Sequence, residues 1–585
     1  MKRLSLGAFG ALVVATIAAF FVTQHLKVTT PVVNGLSHPE AFSPGTCRPH
    51  THISFYLQSR ADDVSLYVVD SNLSIVRTLA VNFHMNKLVR IPDGRLNTWN
   101  GRGDDGRLVP DGTYYFRVGL ANQGRTIDVT NYPIVLKTVA PRPRVTSVTP
   151  SVLPNGRSGA VIHFTGNEGR NGTIHLYRTD LPGPLRPVKS FITPAKPAQA
   201  TWDGLIDGRP APAGTYLVGL TVRDAACNTG RFPTMIPPAP GSTPHAGITV
   251  RYLAAEPQLS PAPAGGRALV YVDSRRRPYT WAVQRVGAPK PSASGRARGA
   301  VLRVPLPKSG AGLYELTLHS GPYQTQVPLL AAARPSPRVL VVLPALTWQG
   351  QNPGDEDGDG IPDTLDTGGS VQLARPLALG LPPGFADEAA FLAYLDQAHL
   401  AYDLTTDLGL IDGVGPGLFG HRAVVFAGSE RWLPSSLSGP LRTYVQQGGN
   451  VISLGIDSLR RSVTVKGALA RGPSAPAATD ALGAEPGPVS AGSGVILQIS
   501  DGLGIFSGTS GAFGSGPFQP VTRVVAPAQP LSAAAGVSQS SPAIAGYRLG
   551  RGTVVDIGLV GFGSSVAHSV DEQELTRRLW TVLGS

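Results

Sequence analysis

The chain has 585 residues, of which 42% are hydrophobic and 15% charged, with 70 glycines, 53 prolines and a formal net charge of +13. This length excludes a single hydrophobic core and indicates about three to five domains, while the glycine and proline content favours turn-rich β structure over long helices. The basic residues are scattered, with no run longer than the arginines at 275–277, which argues against nucleic acid as a partner and indicates a surface suited to an anionic cell-envelope polymer.

The first element is an uncharged segment from Leu4 to Val22, preceded by Lys2 and Arg3. As a helix it would span about 28 Å, close to the hydrocarbon thickness of a bilayer. No small-x-small cleavage site follows it, so an uncleaved signal anchor is favoured over a cleaved signal peptide. We therefore predict that residues 1–28 form a single-pass membrane anchor that places the body outside the cytoplasm. Secretion is the alternative, and both export the body.

An internal repeat organises the next two domains, predicted over 29–140 and 141–247. Both copies carry a tryptophan, an Asp-Gly-Arg turn and a Gly-Thr-Tyr strand opening, and Trp99 aligns with Trp202. This spacing is typical of an antiparallel β-sandwich, in which both tryptophans are expected to be core residues rather than ligand contacts. The pattern resembles the Ig-like module of the flagellar hook-capping protein, which implies a spacer role.

A third segment, 248–334, alternates apolar and polar residues between glycines and prolines, and predicts another β-sandwich. Proline-rich joints at 140–145, 236–244 and 333–339 are expected to act as semi-rigid linkers.

The chain has two cysteines, Cys47 and Cys227, which lie in separate predicted modules. In an oxidising compartment they would either pair or remain two isolated thiols, and the sequence leaves both alternatives open. Two cysteines are too few for a zinc site built on thiolates alone.

The residue pattern changes after Pro337. The segment 338–348 has a continuous apolar core, which is typical of a buried parallel strand. Asp387 is predicted to cap an amphipathic helix, and strand and helix patterns then alternate around a Gly/Ser/Ala/Pro-rich insertion at about 470–545. This alternation predicts a doubly wound parallel α/β domain over 335–585.

The motifs LPALTWQGQN, FAGSERW and YVQQGGNVISLG lie in this domain. With them, most of residues 251–585 resembles the C-terminal domain of the large subunit of N,N-dimethylformamidase, a glutamine-amidotransferase-like, flavodoxin-like fold that actinobacterial proteins share. The resemblance implies a mononuclear iron held by two tyrosines and a glutamate. The positions that correspond to the tyrosines hold Gln351 and Arg431, and because arginine cannot ligate a metal, iron is not expected.

The same resemblance places a nucleophile elbow at Gly428-Ser429-Glu430, with serine in place of cysteine. A serine nucleophile needs a base and an orienting carboxylate, for which His568 and Asp571 are available, although Asp571 also suits the start of the last helix. The candidate catalytic residues are therefore Ser429, Glu430 and His568. The alternative is a polar turn at the end of a strand.

The segment DEDGDGIPDTLD, at 355–366, has aspartate at loop positions 1, 3, 5, 9 and 12 and glycine at position 6. This is the spacing with which a calcium loop wraps a hard cation, the backbone carbonyl of position 7 included. We predict a structural Ca²⁺ site rather than a solvated acidic turn, with the ligands Asp355, Asp357, Asp359, Ile361, Asp363 and Asp366.

Together these observations predict a membrane-anchored extracytoplasmic surface protein. Its fold class is multidomain, with all-β Ig-like sandwiches followed by an amidotransferase-like α/β head. The head is expected to bind an envelope polymer or a protein, or to serve a structural role, without catalysis. The alternative is an exported hydrolase, related to N,N-dimethylformamidase, that acts on amide or glycan bonds.

Overall fold

The computed structural model describes residues 2–25, 32–92, 94–153, 159–308, 310–334, 336–492, 494–536 and 541–584. These residues form an N-terminal helix, three β-sandwiches and a C-terminal unit in which helices flank a mixed sheet. The chain is mostly β structure in many sheets, which confirms the Ig-like sandwiches of the predicted fold class.

Helix α1 (Lys2–His25) contains the apolar N-terminal segment. The large apolar side chains described in this helix are exposed. Phe9, Leu12 and Phe21 are each about two-thirds exposed. Within the described ranges, no helix combines the length and the hydropathy that crossing a membrane requires. The predicted end of the anchor, at residue 28, lies outside the described residues.

The first sandwich packs a sheet of order β2-β10-β8-β5-β6, with β9 beside β8, against the short pairs β1-β4 and β3-β7. Trp99 lies at its centre, with ring centroids 5.3 Å from Phe42 and 4.9 Å from Tyr114, and its indole nitrogen donates to the Arg102 carbonyl. Trp99 is therefore a core residue, as predicted. The strands are β1 (Val33–Ser37), β2 (Ala41–Phe42), β3 (Thr51–His52), β4 (Ser54–Leu57), β5 (Asp62–Val69), β6 (Ile75–Met85), β7 (Thr98–Trp99), β8 (Gly112–Leu120), β9 (Arg125–Asp128) and β10 (Ile134–Leu136).

The second sandwich repeats these contacts. The ring centroids of Trp202 and Tyr216 lie 5.7 Å apart. The Tyr216 hydroxyl donates to the backbone carbonyl four residues before it, as the Tyr114 hydroxyl does in the first copy. Its last strand, Gly247–Val250, pairs with Gly214–Arg223, so this sandwich extends past the predicted boundary at 247. The strands are β11 (Arg144–Thr149), β12 (Val152–Leu153), β13 (Ala160–Thr165), β14 (Gly172–Arg178), β15 (Pro187–Ile192), β16 (Gln199–Trp202), β17 (Leu205–Ile206), β18 (Arg209–Pro210), β19 (Gly214–Arg223), β20 (Thr229–Phe232) and β21 (Gly247–Val250).

The first two sandwiches are joined covalently. Cys47 and Cys227 form a disulfide across their interface, which settles the alternative that the sequence left open. Beside it, the Lys137 ammonium lies 3.3 Å from the buried Asp224 carboxylate. The two copies are therefore held together by more than the proline-rich joint between them.

The third sandwich pairs a sheet of order β22-β24-β27 with one of order β23-β29-β28-β25-β26. Alternate residues of these strands point into a core that includes Val270, Val304 and Leu316. The strands are β22 (Ala254–Glu256), β23 (Ala262–Pro263), β24 (Arg267–Asp273), β25 (Tyr279–Arg285), β26 (Ala293–Ala297), β27 (Val301–Pro305), β28 (Gly312–Ser320) and β29 (Tyr323–Ala332).

The C-terminal unit, called the head from here on, is built on a nine-stranded sheet of order β32-β30-β33-β35-β44-β43-β42-β39-β40. The first five strands are parallel, and the last four continue the sheet antiparallel. The strands are β30 (Val339–Leu343), β31 (Val371–Gln372), β32 (Asp403–Thr406), β33 (Ala423–Phe426), β34 (Trp432–Pro434), β35 (Asn450–Leu454), β36 (Arg461–Lys466), β37 (Leu469–Arg471), β38 (Ala484–Pro486), β39 (Ile496–Asp501), β40 (Ala512–Phe513), β41 (Val521–Val524), β42 (Gln529–Gly536), β43 (Ile544–Leu549) and β44 (Gly552–Ile557). Much of the predicted insertion is therefore sheet.

Helices cover both faces of this sheet. Leu395 and Leu579, from the third and seventh helices, pack on one face, and Leu441, from the fifth, packs on the other. Buried faces on both sides explain why the parallel strands are continuous apolar runs. The helices are α2 (Ala345–Gly350), α3 (Phe385–Gln397), α4 (Asp407–Asp412), α5 (Ser435–Gln446), α6 (Phe562–Ser565) and α7 (Val570–Gly584).

Asp387 does not cap α3, contrary to the prediction. The helix begins at Phe385, and Asp387 lies inside its first turn. Its carboxylate instead accepts hydrogen bonds from the backbone nitrogens of Gly563 and Ser564, so it ties α3 to α6.

The head contacts the sandwiches directly. The Arg285 guanidinium, in the third sandwich, is paired with Asp396 of α3 at 2.6 Å. The Leu377 backbone nitrogen donates to the Ala255 carbonyl at 3.0 Å. The linker at 333–339 therefore joins bodies that already share an interface.

Candidate functional site

A cleft of about 290 Å³ opens at the carboxyl ends of the parallel strands β30, β33 and β35, the edge at which such sheets bind ligands. Its walls come from α2, the start of α3, and the turns after β33, β35 and β44. The lining residues are Thr347, Gln351, Pro383, Gly384, Asp387, Glu388, Gly428, Ser429, Arg431, Gly455, Ile456, Asp457, Val560 and Gly561.

Two glycines allow the turn after β33 to approach α3 and the turn after β35 closely. A Cβ at Gly428 would fall 2.5 Å from the Glu388 Oε1, and one at Gly455 would fall 2.9 Å from the Ser429 backbone nitrogen. Gly455 also has φ of 93°, in the region that favours glycine. These close approaches bring the turn that carries Ser429 against α3 and β35, and Ser429 and Glu388 both line the cleft.

Ser429 is half-buried in the cleft, where its hydroxyl accepts a 3.3 Å hydrogen bond from the Ile456 backbone nitrogen. His568 is exposed beyond α6 and does not line the cleft, and no hydrogen bond joins its ring to Ser429 among the described residues. Asp571 instead accepts from Ser510. The structure therefore does not assemble the predicted Ser–His–Asp arrangement, because His568 lies between α6 and α7 and Asp571 lies in α7, and neither lines the cleft.

Glu430, the third predicted catalytic residue, points away from the cleft into the interior. Its carboxyl lies against Asp407, and its Oε1 has no hydrogen-bond partner among the described residues. Burial raises the pKa of Glu430 well above its usual range, and the Asp407 charge adds to this rise. Asp407 accepts from the Leu346 and Leu408 backbone nitrogens, which favours its charged form.

Glu388 is a functional candidate that the sequence did not indicate. It is 2% exposed, lines the cleft, and accepts a 3.0 Å hydrogen bond from the Trp348 indole nitrogen. Burial raises the pKa of Glu388 well above its usual range, and the bond from Trp348 offsets only part of the rise. The sequence offers one sign of its position. Glu388 precedes Leu392 by four residues, which places its carboxylate on the apolar face of α3.

Gln351 and Arg431, the two positions that the sequence resemblance matched to iron ligands, both line the cleft. The Arg431 guanidinium lies over the Trp432 ring and is paired with Asp366 at 3.0 Å and Asp457 at 3.1 Å. These partners fix Arg431 as a wall of the cleft.

The acidic loop brings together three of the six predicted cation ligands. Carboxylate oxygens of Asp355, Asp357 and Asp363 lie within 4.8 Å of one another. Asp359 instead accepts from the Ile361 backbone nitrogen at 2.7 Å, and Asp366 is turned outward to Arg431. Asp366 therefore lies outside the three converging carboxylates in this structure, where it pairs with Arg431.

Asp355 is the buried member of this cluster, 8% exposed, and accepts from the backbone nitrogens of Gly358 and Gly360. Burial raises the pKa of Asp355 to about 7, and the neighbouring charges of Asp359 and Asp357 contribute. A divalent cation would relieve this burial and repulsion of negative charge.

The loop also docks the head onto the second sandwich. The Gly358 carbonyl accepts from the Gly247 backbone nitrogen at 2.8 Å, and the Gly360 carbonyl accepts from the Thr179 hydroxyl at 2.7 Å. Ile361, predicted to offer a carbonyl to the cation, packs its side chain against the core of that sandwich. The acidic loop is therefore part of an interface between modules.

Comparison with known proteins gives no family. No family model matches the chain. No curated protein matches it. Similar solved structures include the alpha-2-macroglobulin of E. coli, at 10% identity over 57% of this chain and 24% of that one, with a TM-score of 0.20. The chain thus spans about a quarter of that protein's length.

Two further solved structures show similarity at the same level. A catalytic mutant of the GH42 β-galactosidase Gan42B from G. stearothermophilus has 13% identity over 33% of this chain and 26% of that one, with a TM-score of 0.22. The fibronectin(III)-like modules of CbhA from Clostridium thermocellum have 14% identity over 34% of this chain and 88% of theirs, with a TM-score of 0.18. Similarities of this size assign neither family nor function.

Proposed function

We propose that the chain is a membrane-anchored extracytoplasmic surface protein, in which linked β-sandwiches carry a head that binds a ligand. The observation that carries this proposal is the disulfide between Cys47 and Cys227, which joins two modules. Such bonds persist in oxidising compartments and are rare in the cytosol. The apolar, exposed α1 and the two positive residues before its apolar segment support an anchor with the N-terminus inside.

The head is proposed to bind rather than to catalyse. Ser429 lies in a cleft at the edge of the sheet where ligands bind, but none of the described residues that line it is a histidine. A serine hydroxyl without a base is a weak nucleophile, so its use as a hydrogen-bonding group is favoured. The five parallel strands with helices on both faces support the predicted doubly wound arrangement of the head, and Gln351 and Arg431 argue against iron chemistry in its cleft.

We also propose that the acidic loop holds a structural Ca²⁺. The converging carboxylates of Asp355, Asp357 and Asp363 support it, and hard oxygen ligands suit this ion. Since the loop packs on the second sandwich, the cation would stiffen the contact between the head and the stalk.

One observation favours the second function, an exported hydrolase. Burial raises the pKa of Glu388 and so favours its protonated form, and Glu388 lines the same cleft as Ser429. A protonated carboxyl there would be able to act as a general acid toward an amide or glycosidic oxygen. This route needs neither His568 nor iron.

Two experiments test these proposals. A reporter that is active only outside the cytoplasm, fused behind Lys27, is expected to be active, and cytosolic retention would refute the surface location.

The exported chain is then treated with a serine-directed fluorophosphonate. Absence of label on Ser429, together with no turnover of a panel of amides and glycosides, supports the binding function, while label or turnover that a Glu388→Gln variant loses supports the hydrolase.

A further inference from the structure

A second cleft, in the third sandwich and separate from that of the head, carries a strong positive charge. It has a volume of about 360 Å³ and lies where the turn between β24 and β25 meets the residues after β26. Its lining residues are Val272, Asp273, Ser274, Arg275, Arg276, Arg298 and Ala300. Two of the three arginines belong to the longest basic run of the sequence.

Among the described residues that line this cleft, positive charges outnumber negative ones. Arg275, Arg276 and Arg298 face one carboxylate, Asp273, among the lining residues. The side chains of Arg276 and Arg298 are exposed and form no ion pair within the described ranges. Gathering three guanidinium groups costs electrostatic free energy unless an anion lies between them.

Arg275 lines this cleft, and one of its guanidinium nitrogens has no hydrogen-bond partner among the described residues. Its Nε donates to the Arg251 carbonyl at 3.4 Å. Its buried Nη2 is 3.4 Å from the Asp273 carboxylate, but in a geometry that makes no hydrogen bond with any described residue. A buried donor without a partner is unfavourable, so an acceptor brought by a ligand would be stabilised here.

The backbone that presents these arginines is strained. Arg275 has φ of 53° and Arg276 has φ of 60°, in the left-handed region where glycine and asparagine are the usual residues. Strain of this kind clusters at ligand sites, where surrounding structure maintains it. Two successive arginines in this conformation therefore indicate a requirement for their side chains.

We propose that this cleft binds phosphate groups of an anionic polymer. A guanidinium group can form two parallel hydrogen bonds with the oxygens of a phosphate. A lysine ammonium group cannot match this paired geometry. The cleft is larger than one phosphate needs and is open, so a chain of phosphates linked in sequence fits it better than a single ion. The proposal goes beyond the head cleft and does not depend on what that cleft binds.

Binding to the full chain in detergent micelles tests this site. Inorganic phosphate, inorganic polyphosphate and single-stranded DNA of matched charge are titrated calorimetrically, at about 50 mM and about 200 mM salt. The cleft variant is Arg276→Ser with Arg298→Ser. The control variant is Arg296→Ser with Arg303→Ser, which removes the same charge from exposed positions of the same sandwich outside the cleft.

We expect polyphosphate to bind more tightly than phosphate or DNA, and the cleft variant to weaken it at least about tenfold while the control keeps wild-type affinity. Equal losses in both variants would mean diffuse electrostatic attraction and would overturn the proposal, as would no polyphosphate binding. Tighter binding of free phosphate would overturn the polymer assignment, and tighter binding of DNA would assign the site to nucleic acid instead.

A third variant guards against misfolding. Arg276→Gly suits the observed φ of 60°, so its melting temperature should not fall below that of the wild type. We expect it to fold and to bind polyphosphate more weakly than the wild type does. Retention of full affinity in this folded variant would also contradict the proposed role of Arg276.

Discussion

Addition of calcium to the full chain is expected to stabilise the head through the acidic loop. Carboxylates 4.8 Å apart repel by about 3.5 kcal/mol per pair at an effective dielectric constant of about 20, and solvent around the exposed Asp357 lowers this figure. Calcium loops of extracellular modules have Kd values of about 10⁻⁴–10⁻³ M. At the tighter limit, about 10 mM calcium is a hundredfold excess over Kd and stabilises by about 2.7 kcal/mol.

For a unit of the head's size, this free energy corresponds to a rise of about 5–10 °C in melting temperature. The assay is a thermal melt with calcium and with chelator, for the wild type and for Asp357→Asn with Asp363→Asn. Asparagine keeps the acceptors for the Asp359 and Glu356 backbone nitrogens and removes only charge. The calcium-dependent rise is expected to vanish in this variant.

A matched control is Asp207→Asn with Asp412→Asn, which neutralises two exposed carboxylates outside the loop. It should keep the full calcium response. If calcium raises the melting temperature of the wild type no more than that of the loop variant, the loop is an acidic turn, and the reasoning from converging carboxylates fails.

Three further predictions concern the clefts and the stalk. Glu388→Gln should change the pH dependence of stability. Burial raises the pKa of folded Glu388, while the unfolded group ionises above about pH 4.3, so above that pH the stability of the wild type falls relative to the variant by at most about 1.4 kcal/mol per pH unit until the folded group also ionises. Urea unfolding at pH values of about 5 and about 7 would contradict this if the wild type and the variant changed by the same amount. Cys47→Ser with Cys227→Ser should lower the free energy of unfolding by about 2–4 kcal/mol without changing the fold, whereas a melt identical to that of the wild type would show that the disulfide does not stabilise the stalk. Trp202→Ala should cost about 3–5 kcal/mol in chemical denaturation because the ring is 1% exposed, and a loss below about 1 kcal/mol would contradict its core role.

The sequence predicted the elements whose signals are local. The repeat around Trp99 and Trp202 predicted two sandwiches because a large aromatic residue, a tight turn and an alternating strand follow one another along the chain. The apolar run at 338–348 predicted a buried strand, which the structure places at β30. Spacing alone also brought attention to Asp355, Asp357 and Asp363, since one loop carries all three.

Contacts between distant segments were decided only by the tertiary structure. Glu388 became a candidate because α3 lies beneath the turn that holds Gly428, and nothing in the local pattern fixes that packing. Residue type alone suggested Ser429 and His568 as a pair, but His568 lies between α6 and α7, outside the cleft.

Pairing explains the remaining differences. Its position in the loop suggested Asp366 as a ligand, yet its carboxylate pairs with the guanidinium of Arg431, 65 residues away. Cys47 and Cys227 are 180 residues apart, so their pairing depended on how two folded modules meet. Periodicity records which faces of an element are buried, whereas the partner of a charge, a thiol or a helix face is set by folding as a whole, and this is why the sequence determined the modules and the structure determined the sites.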